Sequence, residues 1–496
     1  MLASSYREQL HIVGGPGMHK TDPRFPSHFV LPEPLLCFGN SAEATDIHPL
    51  RGLATHGPYS GTLFATYQPT IRCAAIFPAG KLPALSRLVR ELWDSHLPRE
   101  RKQYLPPYPG FEAVFGAKIT GADDTCRVEL DSGLGDMLAA SDAPHRVLAD
   151  VLSSALQRLA ACREAFEIIL IYLPDEWSVA FKGPDDEDFD LHDYIKAVAA
   201  EYRMPTQLLN EKRVFKYACR CSVMWRLSIA LYCKAVGIPW KLAEPNPGTA
   251  YVGLSYALRK VDSDNGRFVT CCSQVFDEDG TGLEFLVYRP ELAFRGRNPY
   301  LTREQMRTIM FRSKTLYQRR NAGRLPSRVV VHKSHEWRDC EIDGCFDAFG
   351  SDINIELIQI QKSVSWRGVL IDAPLNPEEQ RGRPAKYPVH RGTAIQAGDY
   401  SCLLWTQGDC PEAANGRSFF KEGKGIPRPL MLTRWTGSGT TSQMCLDVLQ
   451  LTKMNWNNDA LYDRFPTTLE LAHTLAQTAK RMPSLQSSPY PYHLFM

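Results

Sequence analysis

His192 and Lys196 stand four residues apart in the stretch LHDYIKAVAAEY. On a helix that spacing stacks an imidazole and an ammonium one turn apart on one face. A second helical pattern carries Lys234 just ahead of a Gly237 stop, with Pro239 beyond it. Between the two lies PTQLL, a short strand pattern presenting Gln207. Two cations, an imidazole and an amide meeting at one spot suit a terminal phosphate: the ammonium groups neutralise it, and the other two hydrogen-bond its oxygens. The ordinary alternative for the same residues is a solvated helix face and a satisfied polar histidine. The adjoining run KRVFKYACR mixes cations with aromatics, which suits a nucleic-acid backbone and offers Lys212, Arg213, Lys216 and Arg220.

The elements that must position these groups follow from pattern. GTLFATYQPTIRCAAIFP reads as one or two strands, and a helix begins near Pro83 with Leu85, Leu88, Val89, Leu92 and Trp93 on one stripe. HRVLADVLSSALQRLAAC is a further amphipathic helix, and FEIILIYLP a buried strand. Strands and helices alternating at this spacing predict a parallel sheet covered on both faces, with a ligand beyond the carboxyl ends of its strands. From Ala250 the pattern turns to consecutive strands, AYVGLSYALR, RFVTCCSQVF and LEFLVY, joined by short polar turns. A helix of about 18 residues (TREQMRTIMFRSKTLYQRR), the strand RVVVHKS, more short strands and helices near 440–453 and 466–481 complete the chain. That order is what an RNase H-like fold requires. Residues 1 to about 35, rich in Gly, Pro and His, read as an extended arm.

Composition bounds the function. The 496 residues are 44% apolar, enough for several cores, and 57 basic against 55 acidic residues leave a net charge near +2. A nucleic-acid surface must therefore be local. Fourteen cysteines are scattered without a disulfide framework, which predicts reduced thiols in a cytoplasmic setting. Neither a secretory signal nor an apolar run long enough for a bilayer is expected.

The motifs HDYIK, PTQLL, YCKAVGIPWKL, YVGLSYALR, YPGFEAVFG and LTKMNWNN together resemble the MID-to-PIWI portion of short prokaryotic Argonautes, over most of residues 30–496. The resemblance implies a lead-in segment (1–60), a Rossmann-like MID domain (61–245) and an RNase H-like PIWI domain (246–496), with no PAZ domain. It assigns His192, Lys196, Gln207 and Lys234 to the 5′ phosphate of a guide strand. It also tucks the apolar end PYPYHLFM against the MID domain, so that the Met496 carboxylate helps hold a Mg²⁺ at that phosphate. Docking of this end without metal is the alternative. The implied function is a sensor that carries a 5′-phosphorylated guide RNA, pairs with single-stranded target DNA and activates a separate APAZ-domain effector. That partner's TIR, sirtuin-like NAD-hydrolysing or nuclease domain would act in abortive defence against plasmids or phage.

A cutting PIWI domain holds two divalent ions with acidic side chains at fixed strand positions. At the two strand positions the resemblance singles out stand Ser255, in YVGLSYALR, and Ser334, after RVVVHK. A hydroxyl is a poor Mg²⁺ ligand and Lys333 would repel the ion, so the chain is expected not to be an enzyme. Asp459 and Asp463 cannot build a two-ion site alone. An acidic site in another register would draw on Asp262, Asp264, Asp277, Glu278 and Asp279, in polar turns. His332, His335, Cys340 and Cys345 offer zinc-like atoms at a spacing matching no known finger, and ordinary strand and loop roles are the default. The rival readings are an active guide-directed nuclease, a stand-alone nucleic-acid-binding protein and an unrelated metabolic α/β enzyme.

Overall fold

In the computed structural model, the structure describes residues 27–496 except 185–186, 260–266, 283, 289–292, 296–297, 373–382, 415, 421–424, 458–459 and 482–488. Most of the N-terminal arm, together with Asp262, Asp264 and Asp459, therefore lies outside the described residues.

Two sheets carry the chain. The first is parallel: Lys118–Gly121 and Arg127–Leu130 pair with Thr70–Pro78, which pairs with Ile168–Leu173, and Thr206–Asn210 closes the edge. Ile168–Leu173 is buried at every position, as a strand covered on both faces must be. Helices Leu82–Trp93 and Pro144–Ala160 pack their apolar stripes on it, as the sequence periodicity predicts, except that Trp93 stays half exposed at the helix end with its indole N–H donating to the Ile119 carbonyl. The sequence reading of GTLFATYQ as strand is corrected: Gly61–Tyr67 is a helix, and the strand starts only at Thr70. Its β-branched and aromatic residues favour a strand, but only Phe64 is buried there, so no sheet contact overrides the local turn.

The second sheet has ten strands and a mixed pattern. At its centre Thr249–Arg259 runs antiparallel to Arg267–Phe276, which runs antiparallel to Glu284–Tyr288, the meander expected from the sequence. On its other side Thr249–Arg259 runs parallel to Arg328–Lys333, and that strand parallel to Asn354–Gln361. Helices Arg303–Arg320 and Asp339–Phe349 lie against each other on one face, and Thr467–Arg481 crosses the central strands on the other. Gly253 is what lets it do so: a Cβ there would stand 2.0 Å from the Thr468 carbonyl oxygen. Both outer edges are sealed by chain ends. His28–Val30 pairs with Thr393–Gly398, and Pro489–Pro491 pairs with Glu284–Tyr288. Beyond that strand the chain returns to the parallel sheet, where Leu494, Phe495 and Met496 are buried. The twelve described cysteines are free, and no described helix is long and apolar enough to cross a membrane.

Candidate anion-binding site

Helix Leu191–Glu201 starts on an Asp190 cap whose carboxylate accepts from the His192 and Asp193 amides. Its register places His192 and Lys196 on the face turned to the edge strand Thr206–Asn210. Helix Arg220–Lys234 runs beneath. It begins earlier than the sequence suggested and is buried on nearly every side rather than along one stripe. Its end is fixed at Gly237, where a Cβ would meet the Tyr232 ring at 2.4 Å, so Lys234 emerges from the last turn.

These elements enclose a cavity of about 80 Å³ lined by His192, Lys196, Thr206, Gln207, Leu208, Lys234, Asn457 and Met496. All four phosphate-binding residues read from the sequence are thus brought together, and Met496 joins them from the far end of the chain. The site is not beyond the carboxyl ends of the strands, as the sequence reading had it. It lies along the open edge of the sheet, against the first three residues of the edge strand, because the returning C-terminal residues and Asn457 supply its outer wall.

The charges are unusual. Lys196 and Lys234 are 4% and 3% exposed. The Lys196 ammonium donates to the Met496 main-chain oxygen, and that of Lys234 to Gln207 Oε1. Neither is within ion-pair distance of a carboxylate side chain. Burial pulls the Lys196 pKa down to about 7, with Asp193 opposing. Burial, reinforced by Lys196, pulls Lys234 well below its ordinary value. The Thr206 hydroxyl, 1% exposed, has no hydrogen-bond partner. A concavity with two ammonium groups disfavoured by burial and unused hydrogen-bonding capacity has the chemistry to accept an anion.

The surrounding acids are engaged elsewhere. Asp190, His192 and Asp193 gather within 4.8 Å, but Asp190 caps the helix and Asp193 holds Arg481 and accepts from Thr478 Oγ1 at 3.2 Å. The His192 ring, 51% exposed, faces Asp193 at 3.4 Å. The basic run divides. Lys216 bridges Asp175 and Glu211 at 3.1 Å each, and Arg220 binds Glu91 and the Val214 carbonyl, so both brace the fold. The Lys212 and Arg213 side chains are exposed just past the carboxyl end of the edge strand, while their amides cap onto Asp175 and Asn210. Sequence reasoning missed Thr206, Leu208 and Asn457. Thr206 adjoins Gln207 and was within reach, whereas Asn457 arrives only through the tertiary fold.

In the ten-stranded sheet Leu254 pairs with Lys333, where that ladder ends; Ser255 follows within its strand and Ser334 stands just past the end of Arg328–Lys333. Lys333 points to the opposite face, where it meets Glu341 at 2.5 Å and the Trp337 ring at 4.8 Å. His332 donates to or accepts from Thr468 Oγ1 at 2.9 Å and Cys340 Sγ faces the Leu301 carbonyl, so the histidines and cysteines form no metal-holding group among the described residues. Asp279 is bound to Lys241, Asp277 accepts from Asn321, and Glu278 accepts from the Gly248 amide. Asp463 accepts from Asn455 at 2.7 Å.

No family model and no curated protein matches the sequence. Solved structures do. Clostridium butyricum Argonaute, bound to a guide DNA and a 19-mer target DNA, aligns with a TM-score of 0.67 at 15% identity over 95% of this chain and 55% of its own. Drosophila Piwi gives 0.62 at 14% identity, covering 95% and 56%. Aquifex aeolicus Argonaute gives 0.55 at 13%, covering 95% and 57%. This chain therefore spans little more than half the length of the proteins it resembles. Across that span it has the Argonaute-type fold, a Rossmann-like MID half followed by an RNase H-like PIWI half.

Proposed function

We propose that the chain binds the 5′ phosphate of a guide RNA in the cavity between helices Leu191–Glu201 and Arg220–Lys234, and pairs that guide with single-stranded target DNA. The observation that carries this reading is the pair of buried lysines without Asp or Glu side-chain partners, facing a cavity that also holds Gln207, His192 and a partnerless hydroxyl. A dianion entering there opposes the burial that lowers both lysines and favours their charged form. Lys196 and Lys234 neutralise it, Gln207 and His192 orient it by hydrogen bonds, and exposed Lys212 and Arg213 meet the following backbone. The bound guide DNA and target DNA of the Clostridium butyricum structure support nucleic acid as the ligand class.

A Mg²⁺ ion belongs to the same proposal. The Met496 main-chain oxygen and Gln207 Oε1 are atoms a hard cation takes, but each already accepts from an ammonium group that repels one, so the donor set fits Mg²⁺ only with the phosphate bound to offset that charge. Those two oxygens would hold it, and its contribution would be further neutralisation of the phosphate. In the second half, Ser255 in its strand and Ser334 just past the end of the neighbouring one support a clamp that holds a guide–target duplex without cutting it. The chain then acts as a sensor, and activation of an APAZ-domain effector (TIR, sirtuin-like or nuclease) in abortive defence follows from the resemblance of its motifs.

The deciding experiment compares RNA guides ending in 5′ phosphate and 5′ hydroxyl. Strong preference for phosphate is expected, and equal affinity would remove the basis of the proposal. Cleavage of a guide–target duplex in Mg²⁺ or Mn²⁺ would overturn the clamp reading, and recovery of the chain from its native cells without an APAZ-type protein would overturn the sensor reading.

A further inference from the structure

Where a two-ion nuclease would gather acids, this sheet gathers cations. Lys362 directly follows strand Asn354–Gln361, whose register sets Lys333 against Gln359. It therefore stands at the carboxyl end of the parallel strands, beside the row that holds Ser255 and Ser334. Its ammonium lies 4.5 Å from the Phe465 ring centre, and the Arg464 guanidinium lies 5.1 Å from the same centre. Arg464 donates to the Lys362 carbonyl at 2.7 Å, yet its buried Nε has no hydrogen-bond partner. Two histidines flank them. His335 adjoins Ser334 at 3.1 Å, and His473 projects from helix Thr467–Arg481 one turn beyond Glu470.

These groups repel one another. Burial and Arg464 lower the Lys362 pKa, with Glu470 opposing. Burial lowers Arg464, and so do Arg428 and Arg367. His473 is lowered first by burial and then by Lys362, with Glu470 opposing, and His335 by burial, then by Lys333 and least by Lys362, with Glu341 opposing. The carboxylates in reach are Glu470 and, from behind, Glu341, which already holds Lys333. Concentrated like charge on a partly buried floor costs stability unless an anion arrives.

We propose that this end of the ten-stranded sheet is a phosphodiester-binding site, in which Lys362, Arg464 and His473 receive one backbone phosphate of the strand paired with the guide. The inference rests on the duplex-clamp reading above. The cations occupy the region where metal ions would meet the strand to be cut, so fixed protein charge does the neutralising that ions do in a nuclease. The duplex is thereby anchored at that position whether or not divalent ions are present.

The test uses the full chain loaded with a 5′-phosphorylated guide, and targets in which one linkage at a time is an uncharged methylphosphonate. One position is expected to lose about 5–20-fold in affinity, EDTA leaving that loss unchanged. In Lys362→Gln the all-phosphate target should lose a similar factor, and the sensitive position should become silent. His473→Gln, on an exposed helix position, gives a smaller loss at the same linkage and serves if Lys362→Gln fails to fold. A flat scan, or a Lys362→Gln protein still sensitive at the same linkage, would overturn the site. Failure to load a phosphorylated guide at all would instead sink the earlier reading, so the two failures are distinguishable.

Discussion

Four lysines are buried among the described residues, and they divide by half of the molecule. In the second half Lys333 meets Glu341 at 2.5 Å and Lys453 meets Glu33 at 2.6 Å. Lys333 is further ringed by Trp337, Tyr300 and Tyr256, and Lys453 donates to the Pro34 and Ile47 carbonyls. These two are complete: each has a carboxylate partner. In the parallel half Lys196 meets the Met496 main-chain oxygen and Lys234 the Gln207 amide oxygen, neither meets an Asp or Glu side chain, and both face a cavity. The contrast separates structural burial of charge from functional burial. A paired lysine ties elements together, as Lys453 ties the lead-in segment to the ten-stranded sheet, whereas an unpaired one stores an unmet demand for an anion.

The largest effect should come from breaking a complete pair. Glu341→Ala leaves Lys333 buried without its partner and also removes an acceptor for the Leu301 and Arg338 amides. Denaturant unfolding should show a loss of about 3–5 kcal/mol. Lys196→Met, in contrast, removes a charge that burial already penalises and should leave stability unchanged or higher at pH 7. A loss of similar size in both variants would erase the distinction drawn between the two kinds of lysine.

Next in size is ligand binding. Lys196→Ala combined with Lys234→Ala should lower affinity for a 5′-phosphorylated guide by at least about 100-fold, roughly 2.7 kcal/mol, while a hydroxyl-ended guide is little affected. Equilibrium binding of both guides to wild-type and variant protein checks this. Survival of the phosphate preference in the double variant would place the phosphate elsewhere.

A smaller effect is a pH dependence with a definite sign. Burial lowers the Lys196 pKa to about 7, and an anion raises it, so binding above that pH takes up a proton. Phosphate affinity should fall about fivefold from pH 7 to 8, by the fraction of Lys196 that loses its proton. Proton uptake measured calorimetrically in buffers of different ionisation heat would confirm the direction. The same shift makes this group's contribution to folding stability increase as pH rises from about 7 toward the ordinary lysine range, because the unfolded chain then holds more protons. Affinity that rises with pH would contradict the assignment of Lys196.

What the sequence made legible was whatever a single element decides. The four-residue spacing of His192 and Lys196 and the Gly237 stop behind Lys234 are helix properties, and both sit where the pattern put them. The meander from Ala250 and the final helices, observed at Thr441–Leu451 and Thr467–Arg481, are likewise local. Properties that need two distant segments were hidden. Asn457 reaches the cavity only because the C-terminal half folds against the edge strand. Lys216 and Arg220 look like a nucleic-acid surface until Glu211, Asp175 and Glu91 are brought beside them. The position of the cavity along the sheet edge, rather than at the strand ends, follows from that same return of the chain.

Thr206 gives the finest test of the comparison, because its hydroxyl is the neutral counterpart of the unpaired lysines. It is buried, lines the cavity and has no hydrogen-bond partner, so in the protein alone it contributes a desolvation cost with no return. Thr206→Val keeps the shape and the strand preference while deleting that group. Stability should therefore rise slightly or stay level, since an unsatisfied donor is removed. If the hydroxyl is held open for a phosphate oxygen, the same substitution should weaken the phosphorylated guide by about 2–10-fold, the range of one neutral hydrogen bond. The hydroxyl-ended guide should not respond. Opposite signs for folding and for binding from a single methyl-for-hydroxyl exchange would mark Thr206 as part of the site. Unchanged phosphate affinity, or equal weakening of both guides, would reduce it to a packing residue and leave the lysines to bind alone.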